Sequence, residues 1–150
     1  MPESFLLRPI GRISTPWRSI AECPRNGRQP DPPPLCFVEV FPEFIPGLEW
    51  LDGFSHLLLF YWLDQAPPPA MLLTPPFDDQ PRGVFATRSP ARPNPIAASV
   101  STLLQVEGTR LSVVGLDCLD GTPLIDIKPY FASTDSVPDA VVGWHKAQKR

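Results

Sequence analysis

The sequence of 150 residues lacks the segments that place a protein in or across a membrane. Its longest apolar run, Leu57–Leu63, has seven residues, far fewer than a membrane-spanning helix needs. The first ten residues include Glu3, Arg8 and two prolines, which is not the composition of a signal peptide. The sequence therefore predicts a cytoplasmic protein with no membrane partner.

Cysteine is scarce, and its spacing is not that of a disulfide framework or a zinc site. Cys23, Cys36 and Cys118 are odd in number, and no two of them form a CxxC pair. No cluster of metal-ligating residues accompanies them. The sequence predicts three reduced thiols and no metal centre.

An excess of basic residues, the usual mark of a nucleic-acid-binding protein, is also missing. Thirteen Lys and Arg stand against 16 Asp and Glu, for a net charge of −3 and a pI of about 5.3. The arginines are nevertheless unevenly placed. Five of them lie between Arg8 and Arg28 against one acid, and three more lie between Arg82 and Arg92 with none. If these segments converge, an acidic protein carries one basic face; if they diverge, they bind nothing.

Long helices are excluded by proline, which is abundant. The chain has 22 prolines, about three times the usual share of ~5%, and a proline inside a helix costs ~3 kcal/mol. The long stretches free of it are 47–66, 96–122 and 139–150. The length fits one domain, residues 1–150. A helical bundle is ruled out, and two long loops are expected at 14–34 and 66–82.

The remaining segments have the composition of short strands. Strands are predicted at Cys36–Phe41, at the bulky apolar run Ser55–Leu63 and at Gly83–Ala86. The segments 97–106 and 111–116 flank Glu107–Arg110, which has the composition of a hairpin loop. Short strands between Gly/Pro-rich turns are typical of an all-β barrel or sandwich with little helix.

One further strand is predicted where apolar and polar residues alternate. Leu124, Asp126 and Lys128 are expected on one of its faces, and Ile125 and Ile127 on the other. Asp126 and Lys128 then form either an ion pair or a pair of site residues. The preceding Asp120-Gly121 is a turn sequence.

The segment from Gly83 to Pro95 is the most unusual of the chain. Arg92 and Asn94 alternate with prolines, which stiffen an extended loop because proline fixes its own φ and restricts the residue before it. A stiff arginine loop suits a carboxylate or phosphate ligand, or it is a rigid surface loop with solvated arginines. Two histidines complete the candidates. His56 is either structural or catalytic, and His145 is expected to be solvated.

Several of these segments together resemble one family. Gly53–Leu57, Gly83–Pro90, Arg92–Ile96, Leu119–Pro123 and Asp126–Tyr130 appear in the order found in the TsaA-like (YaeB-like) family, and 23–27 is similar to its N-terminal loop. The match extends over most of the chain. The resemblance implies a small antiparallel β-barrel that binds S-adenosylmethionine, usually as a homodimer.

The resemblance also implies an activity and a set of site residues. The best-known member methylates N-6 of threonylcarbamoyl-adenosine, next to the anticodon of certain tRNAs. By motif, the cofactor-binding positions fall on Pro24, Arg25, Asn26, Asp64, Gln65, Arg88, Leu119, Asp120, Gly121 and Thr122.

The remaining candidate residues follow from the chemistry of methyl transfer. Arginines bind a carboxylate, and a carboxylate such as Asp120 binds an amine or a ribose hydroxyl. Asp126 is the candidate general base, and Lys128 and Tyr130 are candidate orienting groups. Substrate binding is assigned to four loop residues, namely Arg28, Arg82, Arg92 and Asn94.

Three functions stay open on sequence grounds. The first is a tRNA methyltransferase that works as a homodimer. The second is a methyltransferase for a small molecule, which the low pI favours. The third is a binding module for S-adenosylmethionine without activity.

Overall fold

A computed structural model describes residues 3–147 of the chain. Its main element is a closed barrel of six antiparallel strands in the spatial order β1-β2-β7-β6-β3-β8. The all-β barrel with little helix is therefore confirmed. The strands of the barrel are β1 (Gly11–Ser14), β2 (Cys36–Val40), β3 (His56–Trp62), β6 (Ile96–Glu107), β7 (Arg110–Val114) and β8 (Thr122–Pro129).

The other elements are short. Two-residue strands, β4 (Leu72–Leu73) and β5 (Arg82–Gly83), pair with each other within the connection from β3 to β6. One α-helix, α1 (Ala132–Asp135), follows the barrel. Turns of 3-10 helix lie at Ile20–Glu22, Pro42–Leu48, Leu51–Gly53, Val84–Ala86 and Gly143–Ala147.

The predicted strand Gly83–Ala86 is wrong in most of its length. Only Gly83 belongs to a strand, and Val84–Ala86 form a 3-10 turn in which the Thr87 N–H bonds to the Val84 carbonyl. Val84 is buried, whereas Phe85 is 76% exposed. One inward-pointing side chain is enough to anchor so short a segment, and no neighbouring barrel strand extends its pairing.

The core lies inside the barrel and is built by alternation along the strands. In β3 the side chains of Leu57, Leu59 and Tyr61 are fully buried, while those between them are only partly covered. The bulky run is thus buried on one face, and its other face is an apolar outer surface. β6 turns small residues inward, Ser99 and Ser101 among them, which leaves room for Tyr61 opposite.

β8 departs from the predicted alternation because it contains a bulge. Phe60 of β3 pairs with Asp126, but its neighbour Tyr61 pairs with Leu124, so Ile125 is the extra residue. Leu124 is buried, and Ile127 also packs against the core. The prediction that Leu124 shares a face with Asp126 and Lys128 is therefore wrong. The predicted ion pair is present, with Lys128 Nζ 3.6 Å from Asp126 Oδ2.

The topology places three of the five connections between barrel strands, the two longest among them, at one end of the barrel. Neighbouring strands run in opposite directions, so β1–β2 (15–35), β3–β6 (63–95) and β7–β8 (115–121) leave from the same end, which we call the loop end. The hairpin turn at 108–109 and the turns between β2 and β3 lie at the opposite end. Within residues 3–147, no helix is long and apolar enough to cross a bilayer.

Candidate functional site

The loop end is held together by hydrogen bonds between the β7–β8 connection and the residues after β1. The Asp120 carboxylate accepts from the Thr15 N–H (3.1 Å), and the Asp120 N–H donates to the Trp17 carbonyl (2.8 Å). Thr15 Oγ1 donates to the Cys118 carbonyl (2.8 Å). Thr122 Oγ1 closes the turn itself by donating to the Leu119 carbonyl (2.7 Å). The predicted cofactor turn 119–122 is thus fixed, and one oxygen of Asp120 is engaged in fixing it.

The N-terminal loop folds over the same connection. Gly27 lies so close to the Gly115 backbone that a Cβ at position 27 would collide with the Gly115 carbonyl oxygen. The Asn26 side chain accepts from the Arg28 N–H (2.9 Å), and the Gln29 side chain accepts from the Arg25 N–H. The predicted residues 24–26 are therefore ordered by local side-chain bonds, beside residues 115–118.

A buried polar group that sequence reasoning missed lies under this loop. Tyr61 is fully buried, and its hydroxyl donates to Asp117 Oδ1 (2.6 Å), with Ser99 Oγ also 2.6 Å from the phenolic oxygen. Asp117 comes from the β7–β8 connection, Tyr61 from β3 and Ser99 from β6. The sequence signal was an isolated acid within the apolar segment Val114–Leu119, which no motif argument singled out.

Asp117 interacts electrostatically with residues of two of the predicted cofactor segments. Burial raises the pKa of the Asp117 carboxyl, while the hydrogen bond from Tyr61 and the charge of Arg88 act to lower it. The pKa of Cys23 is raised by its burial and by the negative charge of Asp117. Arg88 and Cys23 thus both lie within electrostatic reach of Asp117. Among the described residues, Arg88 forms no salt bridge.

Two of the predicted substrate residues are engaged in structural contacts. The Arg92 guanidinium donates to the carbonyls of Thr87 (2.9 Å) and Ser89 (3.1 Å), so it fastens its own loop. Arg82 forms a salt bridge with Asp78 (2.8 Å), and its guanidinium also lies over the Trp144 ring.

The other predicted loop residues have freer side chains. Arg28 and Asn94 are exposed. Asp64 and Gln65 are exposed directly after β3, where the Leu63 N–H donates to the Pro95 carbonyl (2.8 Å). Loop residues on both sides of the barrel mouth are therefore available to a ligand.

Asp126 and Lys128 do not join this group within one chain, and Tyr130 approaches it only through His56, whose ring lies 6.3 Å from the Tyr130 ring and which lines a cleft with Arg28. Asp126 pairs with Phe60 in the middle of the barrel wall, and its carboxylate faces Lys128. The Tyr130 N–H donates to the His56 carbonyl (3.1 Å), at the N-terminal end of β3. Eight residues of extended chain separate Tyr130 from Thr122, which corresponds to about 26 Å. Asp126 is half-exposed on the outer wall, away from the loop end.

The histidines also occupy defined positions. His56 Nδ1 lies 2.8 Å from Ser55 Oγ, and its ring lines a cleft of about 360 Å³ beneath the N-terminal loop, together with Arg28 and Val100. His145 is half-buried in contact with Phe77 and Trp144. The prediction that His145 is solvated is therefore wrong.

The three thiols are free. Cys36 is buried, and burial raises its pKa to about 11; burial also raises the pKa of Cys118. Among residues 3–147, no group of three or more His, Cys, Asp or Glu is arranged to hold a metal ion.

Comparison with known proteins identifies relatives with a similar fold and a similar sequence. A solved structure titled as TrmO from Pseudomonas aeruginosa superposes with a TM-score of 0.78 at 36% identity, covering 94% of this chain and 62% of that one. An "S-adenosyl-L-methionine-binding protein" of Archaeoglobus fulgidus is 41% identical over 133 residues, which cover 89% of this chain and 94% of that protein.

A second relative from Archaeoglobus fulgidus, named "Probable S-adenosyl-L-methionine-binding protein", is 47% identical over 138 residues. The alignment covers 92% of this chain but 37% of that relative, so the chain spans about a third of its length. The model of the tRNA-methyltransferase O N-terminal domain matches residues 12–136. The resemblance seen in the motifs is thereby confirmed: the chain belongs to the family of the tRNA-methyltransferase O N-terminal domain.

Proposed function

We propose that this protein is an S-adenosylmethionine-dependent methyltransferase whose acceptor is a modified adenosine of tRNA, at N-6 of threonylcarbamoyl-adenosine. The observation that carries the proposal is the convergence at one barrel end of the loops that bear 23–27, 83–90, 92–96 and 119–123, four of the six segments that resemble the family. The names of the relatives, which refer to S-adenosylmethionine, support the cofactor.

The residues at the loop end fit such a cofactor by their chemistry. Arg88 is an exposed guanidinium with no salt bridge among the described residues, and it suits a carboxylate. The turn 119–122 offers backbone groups on a fixed frame, and Asp64 and Gln65 are exposed beyond the end of β3, the strand beside β8. When bound, S-adenosylmethionine supplies an activated methyl group, so the protein's main task is to align the acceptor with it.

The test is methylation of tRNA by the purified protein. Unmethylated tRNA from cells that lack this gene is incubated with S-adenosylmethionine, and its nucleosides are analysed by mass spectrometry. A gain of one methyl group on threonylcarbamoyl-adenosine is expected. Absence of any methylated nucleoside, with cofactor binding intact, would contradict the tRNA assignment and favour the small-molecule acceptor that the low pI suggests.

The salt dependence of binding is a second test that distinguishes tRNA from a small-molecule acceptor. Arg28 is exposed at the loop end, whereas Arg110, over the Phe37 ring, lies next to the hairpin at the opposite end. If tRNA lies on the loop end, Arg28→Ala should make the salt dependence of tRNA affinity shallower by roughly 0.7–0.9 for each phosphate that the variant no longer neutralises. Arg110→Ala should not change it. Binding that does not vary with salt would rule out tRNA as the partner.

We also propose that the protein acts as a homodimer through the apolar outer face of β3 and β6. The partly exposed Leu58 and Phe60 pair with Val100 and Ala98 on this face, and Trp62 pairs with Ile96. This apolar patch borders Asp126 and Lys128 on β8. In a dimer built on this face, Asp126 and Lys128, two of the three catalytic candidates, lie at the subunit boundary. Cytoplasmic localisation stays a prediction.

A further inference from the structure

A carboxylate and a guanidinium face the loop end without neutralising each other. Asp117 lies in the β7–β8 connection and Arg88 in the β3–β6 connection, which leave the barrel at the same end, and the charge of Arg88 acts on the Asp117 carboxyl. Among the described residues, neither Arg88 nor Asp117 forms a salt bridge. Two opposite charges held apart match a ligand that carries both an anion and a cation.

The barrel holds the carboxylate in one orientation. The Tyr61 hydroxyl, itself buried and backed by Ser99, donates to Asp117 Oδ1 at 2.6 Å. The phenol donates its single proton to Oδ1, and among the described residues no other side chain bonds to Oδ2, which leaves that oxygen for a ligand. Asp117 is also largely removed from water, and a desolvated carboxylate gains most from a positively charged partner.

The other acid of this connection is less suited to that role. Asp120 is exposed, and its Oδ1 accepts from the Thr15 N–H. The sequence predicted that Asp120 binds an amine or a ribose hydroxyl, but the structure uses one oxygen of this side chain to join the residues after β1 to the turn. Asp117 is the acid that combines burial, a fixed orientation and proximity to Arg88.

We infer that Asp117 binds the α-ammonium group of the cofactor's amino-acid moiety while Arg88 binds its α-carboxylate. This inference rests on the proposed function and adds a binding residue and its target group. Tyr61 is the positioning residue that holds Asp117. If Asp117 binds the ammonium group, replacing Asp117 should lower the affinity only for ligands that carry this group.

The experiment is calorimetric titration of wild type and Asp117→Asn with three ligands. S-Adenosylmethionine and S-adenosylhomocysteine both carry the ammonium group, whereas 5′-methylthioadenosine lacks the amino-acid moiety. The variant should lose affinity for the first two equally, by about 10- to 150-fold, the range for a hydrogen bond to a charged group. Its affinity for 5′-methylthioadenosine should not change. Asp52→Asn, on an exposed side chain at the opposite end, is the matched control.

Three other outcomes would each overturn either the inference or the proposed function. A selective drop in affinity for S-adenosylmethionine would overturn the inference, because the carboxylate would then face the sulfonium. Unchanged affinity for all ligands would overturn it while leaving the proposed function intact, and failure of the wild type to bind any of them would overturn the proposed function. If the variant does not fold, the wild type is titrated with deamino-S-adenosylhomocysteine. Binding as tight as that of S-adenosylhomocysteine would refute the pairing.

Discussion

Tyr61 and Asp117 carry a polar pair into the mouth of an otherwise apolar barrel. Burial shifts the pKa of both groups upward, so the fold resists charging them in the absence of a ligand. The hydrogen bond from Tyr61 reaches one oxygen of the carboxylate, and a backbone hydrogen bond at Asp117 adds to it, but burial still raises the pKa. Such residues reduce the stability of the empty protein and are retained where a ligand uses them.

Because burial raises the pKa of Asp117, the stability of Asp117→Asn relative to wild type should depend on pH in a defined direction. A carboxyl whose pKa is raised in the folded state favours folding below its ordinary pKa, and that contribution is lost as pH rises through the raised pKa. Asparagine cannot ionise and still accepts from Tyr61. The variant should therefore gain stability relative to wild type between pH 3 and pH 8, as measured by urea unfolding of the ligand-free proteins. A constant difference across this range would contradict the burial of an ionised Asp117.

Gly27 is the residue that permits the N-terminal loop to approach the barrel. In Gly27→Ala the Cβ meets the Gly115 carbonyl, which is backbone and cannot move aside. We expect a loss of ~1–3 kcal/mol in the free energy of unfolding, the usual range for overpacking, and weaker cofactor binding as the loop shifts. Calorimetry and urea unfolding measure the two effects. Gly47→Ala is the control because nothing lies within 4 Å of its added Cβ, and an equal effect there would refute the explanation.

At the scale of elements, the β3–β6 connection is stabilised by the segment after α1. Trp144 Nε1 donates to the Ala86 carbonyl (2.8 Å), and its ring stacks on Phe77 with centroids 5.6 Å apart. Arg82 lies over the same ring. The connection of some 30 residues has one two-residue ladder and otherwise bonds within its own loops, so the contact of Trp144 with Ala86 adds an anchor from outside it, two residues before Arg88.

Trp144→Ala should therefore loosen the connection without unfolding the barrel. Trypsin is expected to cleave after Arg82 and Arg88 several-fold faster than in wild type, while the unfolding midpoint changes little, since the indole is not part of the core. Trp50→Ala is the matched control, because Trp50 is 82% exposed near the opposite end. Equal cleavage rates in the three proteins would show that Trp144 does not support the loop.

Local chemistry was enough to predict some elements but not others. The hairpin of β6 and β7 was predictable because Gly108 supplies the positive φ (61°) of its turn. The bulge in β8 was not, since it depends on pairing with Phe60 and Tyr61 and leaves no local signal. Asp117 was missed for the same reason: its partner Tyr61 is 56 residues away in the chain. The cofactor motifs were found through family resemblance, and their convergence follows from strand order.

At the scale of the whole molecule, a closed barrel leaves no sheet edge for association. Contact between the barrels of two copies must then use side chains of the outer wall. The apolar strip on β3 and β6 is the best-defined candidate, and it lies beside the strand that carries Asp126 and Lys128.

Val100→Glu tests this surface. Val100 is 38% exposed opposite Leu58, and a charge there would be buried in a dimer, so we expect light scattering to change from dimer to monomer at micromolar concentration. Leu104→Glu is the control: Leu104 is 56% exposed on the same strand, beyond the residues that pair with β3. A wild-type monomer that binds the cofactor, or dissociation by both variants alike, would contradict the proposed interface.

The distribution of proline has a practical consequence for observing the site. Fifteen of the 22 prolines lie in the two long connections, 15–35 and 63–95. Proline has no amide hydrogen, so amide-detected NMR spectra and hydrogen-exchange maps lack a probe at 15 of the 54 positions in these stretches. Ligand titrations should show their clearest amide signals at Gly27, Arg88 and Asp117, with silent gaps between them. Carbon-detected spectra, in which proline is visible, are the suitable means of following these loops as they respond to a ligand.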